Sequence, residues 1–336
     1  MAIPKKYKLL VKRVLWVFIP AVVVFAAGVG LLELYVAYTL TRPAKTKLYG
    51  SPHDFQIILQ QQPMWFDEKW RDTDGSQSVG WLLTHEHSSP TIVLSHAYNS
   101  NRSELLTLSF ELWKAGYNVL LYDLRGHGES PVLWSGLGTY EVDDLIAGIN
   151  YLKGLKAGDG SPLLDDRIGL YGVELGGYAS LMAAGESPLV KAVAVDSVYP
   201  DIRYYINYRI KAFVGTNSSL TRLIDSPSVD NLTNTSMHLY LMRTEETKTA
   251  VQSLKSPSDR KYLFVVGQDS GMLTKPTQVL YQQCASEKQF IQVSKSRISR
   301  LYEKDSADYD AQIVAFFKDS LPVADAIPEK GTRASR

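Results

Sequence analysis

Cysteine is almost absent from this chain of 336 residues, and neither sign of charge predominates. Cys284 is the single cysteine, so an internal disulfide and a cysteine-ligated zinc site are both excluded. The formal net charge is +1, which gives no electrostatic reason to expect nucleic acid among the partners. These shortages argue against disulfide-stapled scaffolds and nucleic-acid-binding modules.

Histidine is missing from the last part of the chain. The six histidines are His53, His85, His87, His96, His127 and His238. Chemistry that needs an imidazole from a later segment is therefore excluded. Apolar residues, in contrast, are plentiful: 45% of the chain is hydrophobic. That is enough for a sizeable core, and the length suits one large domain or two ordinary ones.

One long uncharged run, VLWVFIPAVVVFAAGVGLL at residues 14–32, lies near the amino terminus. A helix of this length crosses the hydrocarbon core of a bilayer, which is about 30 Å thick. We predict a transmembrane helix over residues 14–40, preceded by a basic segment at 1–13. A cleaved signal peptide is the alternative, but the run is long for one and no A-x-A site follows it.

Basic residues flank this run unequally. Lys5, Lys6, Lys8, Lys12 and Arg13 come before it, whereas Arg42, Lys45 and Lys47 come after it. The cytoplasmic flank of a membrane span carries the excess of Lys and Arg. We therefore expect a single-pass protein of a cell membrane, with its amino terminus in the cytoplasm and its globular domain outside.

The rest of the chain divides into a linker, one domain and a tail. Residues 41–55 are polar, contain two prolines and indicate a linker, and residues 56–323 form the domain. Residues 324–336 contain so few large apolar side chains that we predict disorder.

Short β-branched runs alternate with helical patterns inside the domain. The runs lie at residues 91–94, 118–123, 167–172, 191–196 and 261–267, and the helical patterns at 104–114, 139–155, 176–184 and 309–321. Continuous apolar runs suit strands buried on both faces of a parallel sheet. We predict a doubly wound, mostly parallel α/β sheet. A leading hairpin turns at Asp74-Gly75, and a small helical cap occupies about 197–260.

Three motifs carry a family resemblance. They are TIVLSHAYNSNRSE at 91–104, YDLRGHGES at 122–130 and IGLYGVELGGYASLMAA at 168–184. In this order and spacing they resemble the α/β-hydrolase superfamily, in its serine-aminopeptidase and monoacylglycerol-lipase-like branch, over about residues 65–321. The resemblance implies the α/β-hydrolase fold, and the third motif matches the nucleophile elbow G-x-S-x-G except at its serine.

The catalytic triad that the resemblance implies is degenerate in this chain. Glu174 stands where the family has its nucleophilic serine, and an acyl product on a carboxylate would be a mixed anhydride. Ser270 stands at the acid position, with Asp269 one residue early. Ile298 stands at the histidine position, and no histidine follows His238.

Other site roles also come from the resemblance. It places the backbone N–H groups of Tyr98 and Leu175 at the oxyanion hole and His96 in the loop beside it, and it makes the turn around His127 structural. Glu174 then either plugs the site, by accepting those N–H bonds or by pairing with Arg297 or Arg300, or binds a cationic or hydroxylated ligand. The ligand-binding candidates are Glu174, His96 and Arg297.

A small histidine cluster and the other serines complete the candidates. His85-Glu86-His87 has the spacing of a metal cluster, but a solvated polar turn is favoured because no third ligand is evident. We expect no metal and no cofactor. Ser95 and Ser197 are hydroxyls near strand ends without an elbow context.

The sequence therefore favours a membrane-anchored pseudo-hydrolase with a binding, scaffolding or complex-assembly role. Its partner would be a protein, or a small ligand in the degenerate pocket. Two alternatives stay open: an active serine-hydrolase-type esterase, lipase or peptidase that uses other residues, and a non-hydrolytic acid–base enzyme that uses Glu174.

Overall fold

The structure is a computed structural model that describes residues 5–59, 63–214, 227, 249–298 and 303–323. The chain divides into two compact units. The first comprises Met1–Thr41 with Arg209–Glu245, and the second comprises Arg42–Tyr208 with Glu246–Arg336. The predicted disordered tail, 324–336, lies outside the described residues, as does most of the predicted cap.

Helix α1, Lys5–Leu40, dominates the described part of the first unit. Within Trp16–Leu40 the most apolar window has a mean hydropathy of 2.3 and is not buried. By length and composition α1 is able to cross a membrane, and a signal sequence would have the same features. The predicted apolar helix is therefore present, and its topology stays a prediction.

Eight strands form one sheet in the described part of the second unit. They are β1 (Met64–Arg71), β2 (Gln77–Thr84), β3 (Ser89–Ser95), β4 (Asn118–Tyr122), β5 (Leu164–Val173), β6 (Val190–Asp196), β7 (Lys261–Gly267) and β8 (Lys288–Val293). Their spatial order is β1-β2-β4-β3-β5-β6-β7-β8. The first two strands pair antiparallel, as do β2 and β4, and every other pair is parallel. This topology confirms the predicted α/β-hydrolase fold and its leading hairpin.

Helices cover both faces of the sheet. They are α2 (Pro52–Leu59), α3 (Leu106–Lys114), α4 (Glu141–Leu152), α5 (Leu175–Glu186), α6 (Ile202–Val214), α7 (Ala250–Lys255), α8 (Thr274–Gln283) and α9 (Glu303–Ser320). Helices α3 and α9 pack together on one face, and α4, α5, α7 and α8 form the opposite layer. The core between the sheet and the first layer includes Ile92, Leu94, Phe110, Ile313 and Phe317.

Two helices were not predicted from the sequence. Helix α2 begins inside the predicted linker, and α8 connects β7 to β8. In α8 only Pro276, Thr277 and Leu280 are buried, so its apolar periodicity is too weak to identify it. Helices α6 and α7 lie within the predicted cap, whose residues 215–226 and 228–248 are outside the described part of the chain.

Glycines let β5 and α5 approach closely at the turn between them. A Cβ added at Gly172 would lie 2.2 Å from the carbonyl oxygen of Gly176, and one added at Gly176 would lie 2.3 Å from the carbonyl oxygen of Ser95. Both neighbours are backbone atoms, which cannot rotate away. The positions of β3, β5 and α5 therefore depend on the absence of these two side chains.

We predict that Gly176→Ala lowers the free energy of unfolding by about 3 kcal/mol or more, because its methyl group overlaps the backbone of β3. Gly185→Ala, in the same helix, is the matched control. Its Cβ would meet only Ser253 at ordinary contact distance, 3.6 Å. The control gains helix propensity and changes stability by at most about 1 kcal/mol, in the stabilising direction. Thermal unfolding of the full-length protein measures both, and equal stabilities would contradict the close packing.

Candidate functional site

The turn between β5 and α5 keeps the backbone shape of a nucleophile elbow. Its apex is Glu174, with φ 50° and ψ −105°, a conformation that costs a non-glycine residue about 1–3 kcal/mol. Two backbone hydrogen bonds hold the apex: the Glu174 N–H donates to the Asp196 carbonyl (2.9 Å), and the Glu174 carbonyl accepts from the Tyr178 N–H (2.9 Å). The turn thus presents a glutamate in a geometry that normally presents a serine.

The Glu174 carboxylate is buried against the loop after β3. Glu174 is 2% exposed, and its Oε2 accepts a hydrogen bond from the Tyr98 N–H at 3.0 Å. The carboxylate also lies at the start of α5, where the aligned peptide dipoles favour a negative charge. One of the two N–H groups that the resemblance assigns to the oxyanion hole is therefore bound by the protein's own side chain.

Tyrosine rings pack beside this carboxylate, a feature that the sequence analysis missed. Tyr178 stacks on Tyr199 at 4.8 Å, Tyr199 stacks on Tyr205 at 4.2 Å, and Tyr205 meets the Tyr98 ring edge-on at 6.3 Å. Burial raises the pKa of Tyr199 well above its usual value, and the nearby Tyr178 and Glu174 side chains raise it further. These four tyrosines are spread over two helices and two loops, so no sequence motif joins them.

The acid position lies in a 3-10 turn, Gln268–Leu273, after β7. Asp269 Oδ1 accepts a hydrogen bond from the Ser296 N–H at 2.7 Å. Ser270 Oγ accepts from the Gly267 N–H at 2.8 Å and lies 2.6 Å from Ser197 Oγ. Asp269 and Ser270 are therefore engaged within this edge of the sheet.

A second carboxylate at this edge, Asp196, was not singled out from the sequence. It is the last residue of β6 and is fully buried. It accepts hydrogen bonds from Ser197 Oγ (2.7 Å), Tyr309 Oη (2.7 Å) and the Arg297 N–H (2.8 Å). Burial raises its pKa, and these three bonds oppose the rise. An aspartate that ends a wholly apolar run was the available signal.

The segment after β8, where the resemblance places the histidine, is held by its backbone. Ser296 donates its N–H to Asp269, and Arg297 donates its N–H to Asp196. Ile298 is half-buried and packs against the hydrophobic core. Asp269 and Asp196 thus bind backbone N–H groups of the segment in which the resemblance places a histidine oriented by a single carboxylate.

Arg297 is turned toward α3 and α9. Its guanidinium pairs with Asp310 and donates to the Glu104 carbonyl at 3.0 Å. It also lies 5.3 Å from the centre of the Tyr309 ring. The salt bridge that the structure gives Arg297 is therefore with Asp310 rather than with Glu174, and Arg300 lies outside the described residues.

The histidines near the site are held by backbone groups. His96 Nδ1 is 2.7 Å from the Ala97 carbonyl, and His96 Nε2 is 3.0 Å from the Leu124 nitrogen. The ring is therefore the neutral tautomer that donates through Nδ1, and burial lowers its pKa. His127 Nδ1 is 2.9 Å from the Arg125 carbonyl, and the ring meets Tyr98 edge-on at 5.2 Å.

The His85-Glu86-His87 stretch is a turn packed on an aromatic ring. His85 stacks on Trp113 at 5.2 Å, and its Nε2 is 3.0 Å from the Trp113 carbonyl. The His85 and His87 rings lie 5.7 Å apart. Across the described residues, no group of three or more His, Cys, Asp and Glu side chains is placed to hold a metal ion.

We predict that Glu174→Ala lowers the free energy of unfolding by about 1–3 kcal/mol, because the buried Tyr98 N–H loses its acceptor. Glu174→Gln keeps an oxygen acceptor and loses less. Glu186→Ala, which removes an exposed carboxylate from the same helix, stays within about 0.5 kcal/mol of wild type. Chemical denaturation of the three variants measures the order, and an undiminished stability of Glu174→Ala would contradict the role of this hydrogen bond.

A second prediction concerns pH. Because the folded-state pKa of His96 lies below its unfolded value of 6.5, its contribution to stability is fully present above about pH 6.5. The contribution decreases as the pH falls from there toward the folded-state pKa. His96→Gln should flatten the acid side of a profile of melting temperature against pH, whereas the exposed His87→Gln should keep the wild-type slope. Identical slopes in all three proteins would refute the buried neutral imidazole.

One solved structure and two curated proteins illustrate what this chain is similar to. An esterase from Pyrococcus furiosus, Pf2001, has a TM-score of 0.62 and 19% sequence identity over 84% of this chain and 98% of the esterase. At that identity the similarity concerns the fold. Thiohydrolase aneE from Aspergillus aculeatus is 27% identical over 158 residues, which are 44% of this chain and 48% of the relative. YqkD from Bacillus subtilis is 33% identical over 100 residues, 30% of this chain and 31% of YqkD.

The alignments thus span about half or less of the curated relatives. A family model described as X-Pro dipeptidyl-peptidase (S15 family) matches residues 81–261, which is just over half of the chain. That range includes the loop of Tyr98, the YDLRGHGES turn, the Glu174 elbow and Asp196. The chain belongs to the X-Pro dipeptidyl-peptidase (S15) family, within the α/β-hydrolase superfamily.

Proposed function

We propose that this protein is a membrane-anchored α/β-hydrolase-fold protein that has lost hydrolytic chemistry and acts by binding. It serves as a scaffolding or complex-assembly subunit, with its amino terminus in the cytoplasm and the hydrolase-like domain on the outer side of a cell membrane. The partner is a protein, or a small ligand that enters the altered pocket.

The observation that carries the proposal is the hydrogen bond from the Tyr98 N–H to the Glu174 carboxylate. In acyl transfer the elbow hydroxyl attacks a carbonyl, and the oxyanion-hole N–H groups stabilise the negative oxygen that develops. Here the side chain at the apex, Glu174, has no hydroxyl. Its own carboxylate oxygen accepts the hydrogen bond of one of these N–H groups. A substrate carbonyl would have to displace a buried anion from that donor.

The proton-transfer machinery supports the same proposal. A serine-type nucleophile needs a base within hydrogen-bond reach. His96 uses both ring nitrogens on backbone groups, and its lowered pKa leaves it a weak base. Asp196 at the end of β6 and Asp269 just after β7 hold the backbone at Arg297 and Ser296, respectively. These side chains around the elbow thus hydrogen-bond to backbone groups.

The membrane part of the proposal rests on α1. The apolar stretch Trp16–Leu40 is long enough to span a bilayer, and more basic residues precede it than follow it. Excess Lys and Arg mark the cytoplasmic side of a span. The chain keeps the fold, but other residues stand at the catalytic positions that the resemblance implies. This combination agrees with a binding role outside the membrane.

We expect the full-length wild-type protein to remain unlabelled by a fluorophosphonate probe and to leave short- and long-chain acyl esters unhydrolysed. Glu174→Ser should also stay near background, because the hydroxyl would have no imidazole to accept its proton. A related active serine hydrolase treated in parallel shows that the probe works. Stoichiometric labelling of the wild type, at Ser95, Ser197 or Ser270 for example, would show an active enzyme and end the proposal.

The binding role has its own readout in the same material. Native mass spectrometry of the full-length protein, extracted gently from its own membrane, should show a bound protein subunit or a retained small molecule. Mass equal to the bare chain, together with turnover of a non-ester substrate that Glu174→Gln abolishes, would favour acid–base catalysis instead.

A further inference from the structure

The segment that follows α1 is fastened to the domain from its second residue onward. Arg42 Nη1 donates to the Leu133 carbonyl at 2.9 Å, and the Ala44 N–H donates to Asn99 Oδ1 at 3.1 Å. Pro43 is buried against the turn at Gly126, where an added Cβ would lie 3.1 Å from the Pro43 ring. These contacts give the segment one defined position on the domain.

The next residues continue along the same edge of the sheet. Asn101 Nδ2 donates to Thr46 Oγ1 at 2.8 Å, and the Tyr49 N–H donates to Ser103 Oγ at 3.3 Å. Lys45 donates its ammonium group to the Ser130 carbonyl. The partners lie in the loops after β3 and β4, and the first of these loops also supplies the Tyr98 N–H to Glu174. The segment is therefore a fitted strap rather than a flexible tether.

The strap is too short to hold the domain away from a membrane. Helix α1 ends at Leu40, and two extended residues cover at most about 7 Å. The headgroup region on each side of a bilayer core is of the same order, about 5–8 Å thick. If the apolar stretch of α1, which extends to Leu40, crosses a bilayer up to that end, Arg42 lies in or beside the headgroup layer, and so does the Leu133 backbone that it binds.

The loop at that point has the chemistry of a membrane interface. Its residues 131–134 read Pro-Val-Leu-Trp; Leu133 is 64% exposed, and Trp134 is partly buried. Arg42 binds the Leu133 carbonyl within this loop, and the exposed Lys45 binds the Ser130 carbonyl just before it. Apolar and aromatic side chains beside basic ones bind the boundary of anionic membranes.

We propose that residues 131–134 form a membrane-contact loop that dips Leu133 into an anionic bilayer, and so holds the carboxyl edge of the sheet next to the lipid surface. This inference rests on the proposed anchoring by α1. It is independent of whether the Glu174 site retains any catalysis.

The test places an environment-sensitive dye at Leu133→Cys in the full-length protein, in a Cys284→Ser background. The dye at Asp159→Cys is the control, because Asp159 is exposed and precedes β5 at the opposite edge of the sheet. Both proteins are reconstituted into vesicles of phosphatidylcholine and phosphatidylglycerol with bromine-labelled acyl chains. We expect quenching at position 133 to exceed that at position 159 by about two-fold or more, since bromine quenches only dyes that enter the bilayer boundary.

Flotation of the same vesicles separates the outcomes. Protein that floats with the vesicles but shows equal, weak quenching at both positions overturns the membrane-contact loop and leaves the anchored pseudo-hydrolase proposal standing. Protein that does not float refutes the loop and the anchoring together. Strong quenching at position 133 alone supports the loop, and fluorophosphonate labelling, measured separately, bears only on the catalytic question.

Discussion

The hydrogen bond between the Tyr98 N–H and the Glu174 carboxylate defines the site of this protein. It requires that β3, β5 and α5 meet within backbone contact distance, which the missing side chains of Gly172 and Gly176 permit. It also requires the strained apex of the elbow, which the Asp196 and Tyr178 backbone groups hold. The turn that resembles a nucleophile elbow here positions a buried glutamate side chain.

Two acids at the neighbouring strands also bind backbone groups. Asp196 ends β6, and Asp269 follows β7, and each accepts a peptide N–H from the segment after β8. A buried carboxylate is costly unless it is hydrogen-bonded, and Asp196 is fully buried. The Arg297 N–H, Ser197 and Tyr309 supply its donors, whereas Asp269 is exposed.

The family motifs outside the elbow also have structural tasks. Asp123 accepts hydrogen bonds from the Arg102 and Glu129 backbone, and the pocket of Gly126 receives Pro43. The YDLRGHGES turn thus supports both the loop that carries Tyr98 and the strap that follows α1. The strap and the loop of Tyr98 therefore lie at one edge of the sheet.

The sequence by itself determined the fold class, the elbow motif and the residues that stand at the three triad positions. Buried strands that alternate with helices pack as a doubly wound α/β sheet. Glu174, Ile298 and the lack of any histidine after His238 are visible in the sequence without coordinates. Only the tertiary structure decided which side chains meet. Arg297 pairs with Asp310, Asp196 accepts three hydrogen bonds, and the tyrosines stack beside Glu174. Several of these contacts join distant residues: Arg297 and Asp310 are 13 positions apart, and Asp196 and Tyr309 are 113 apart. Local sequence patterns carry no information about which distant side chains will meet.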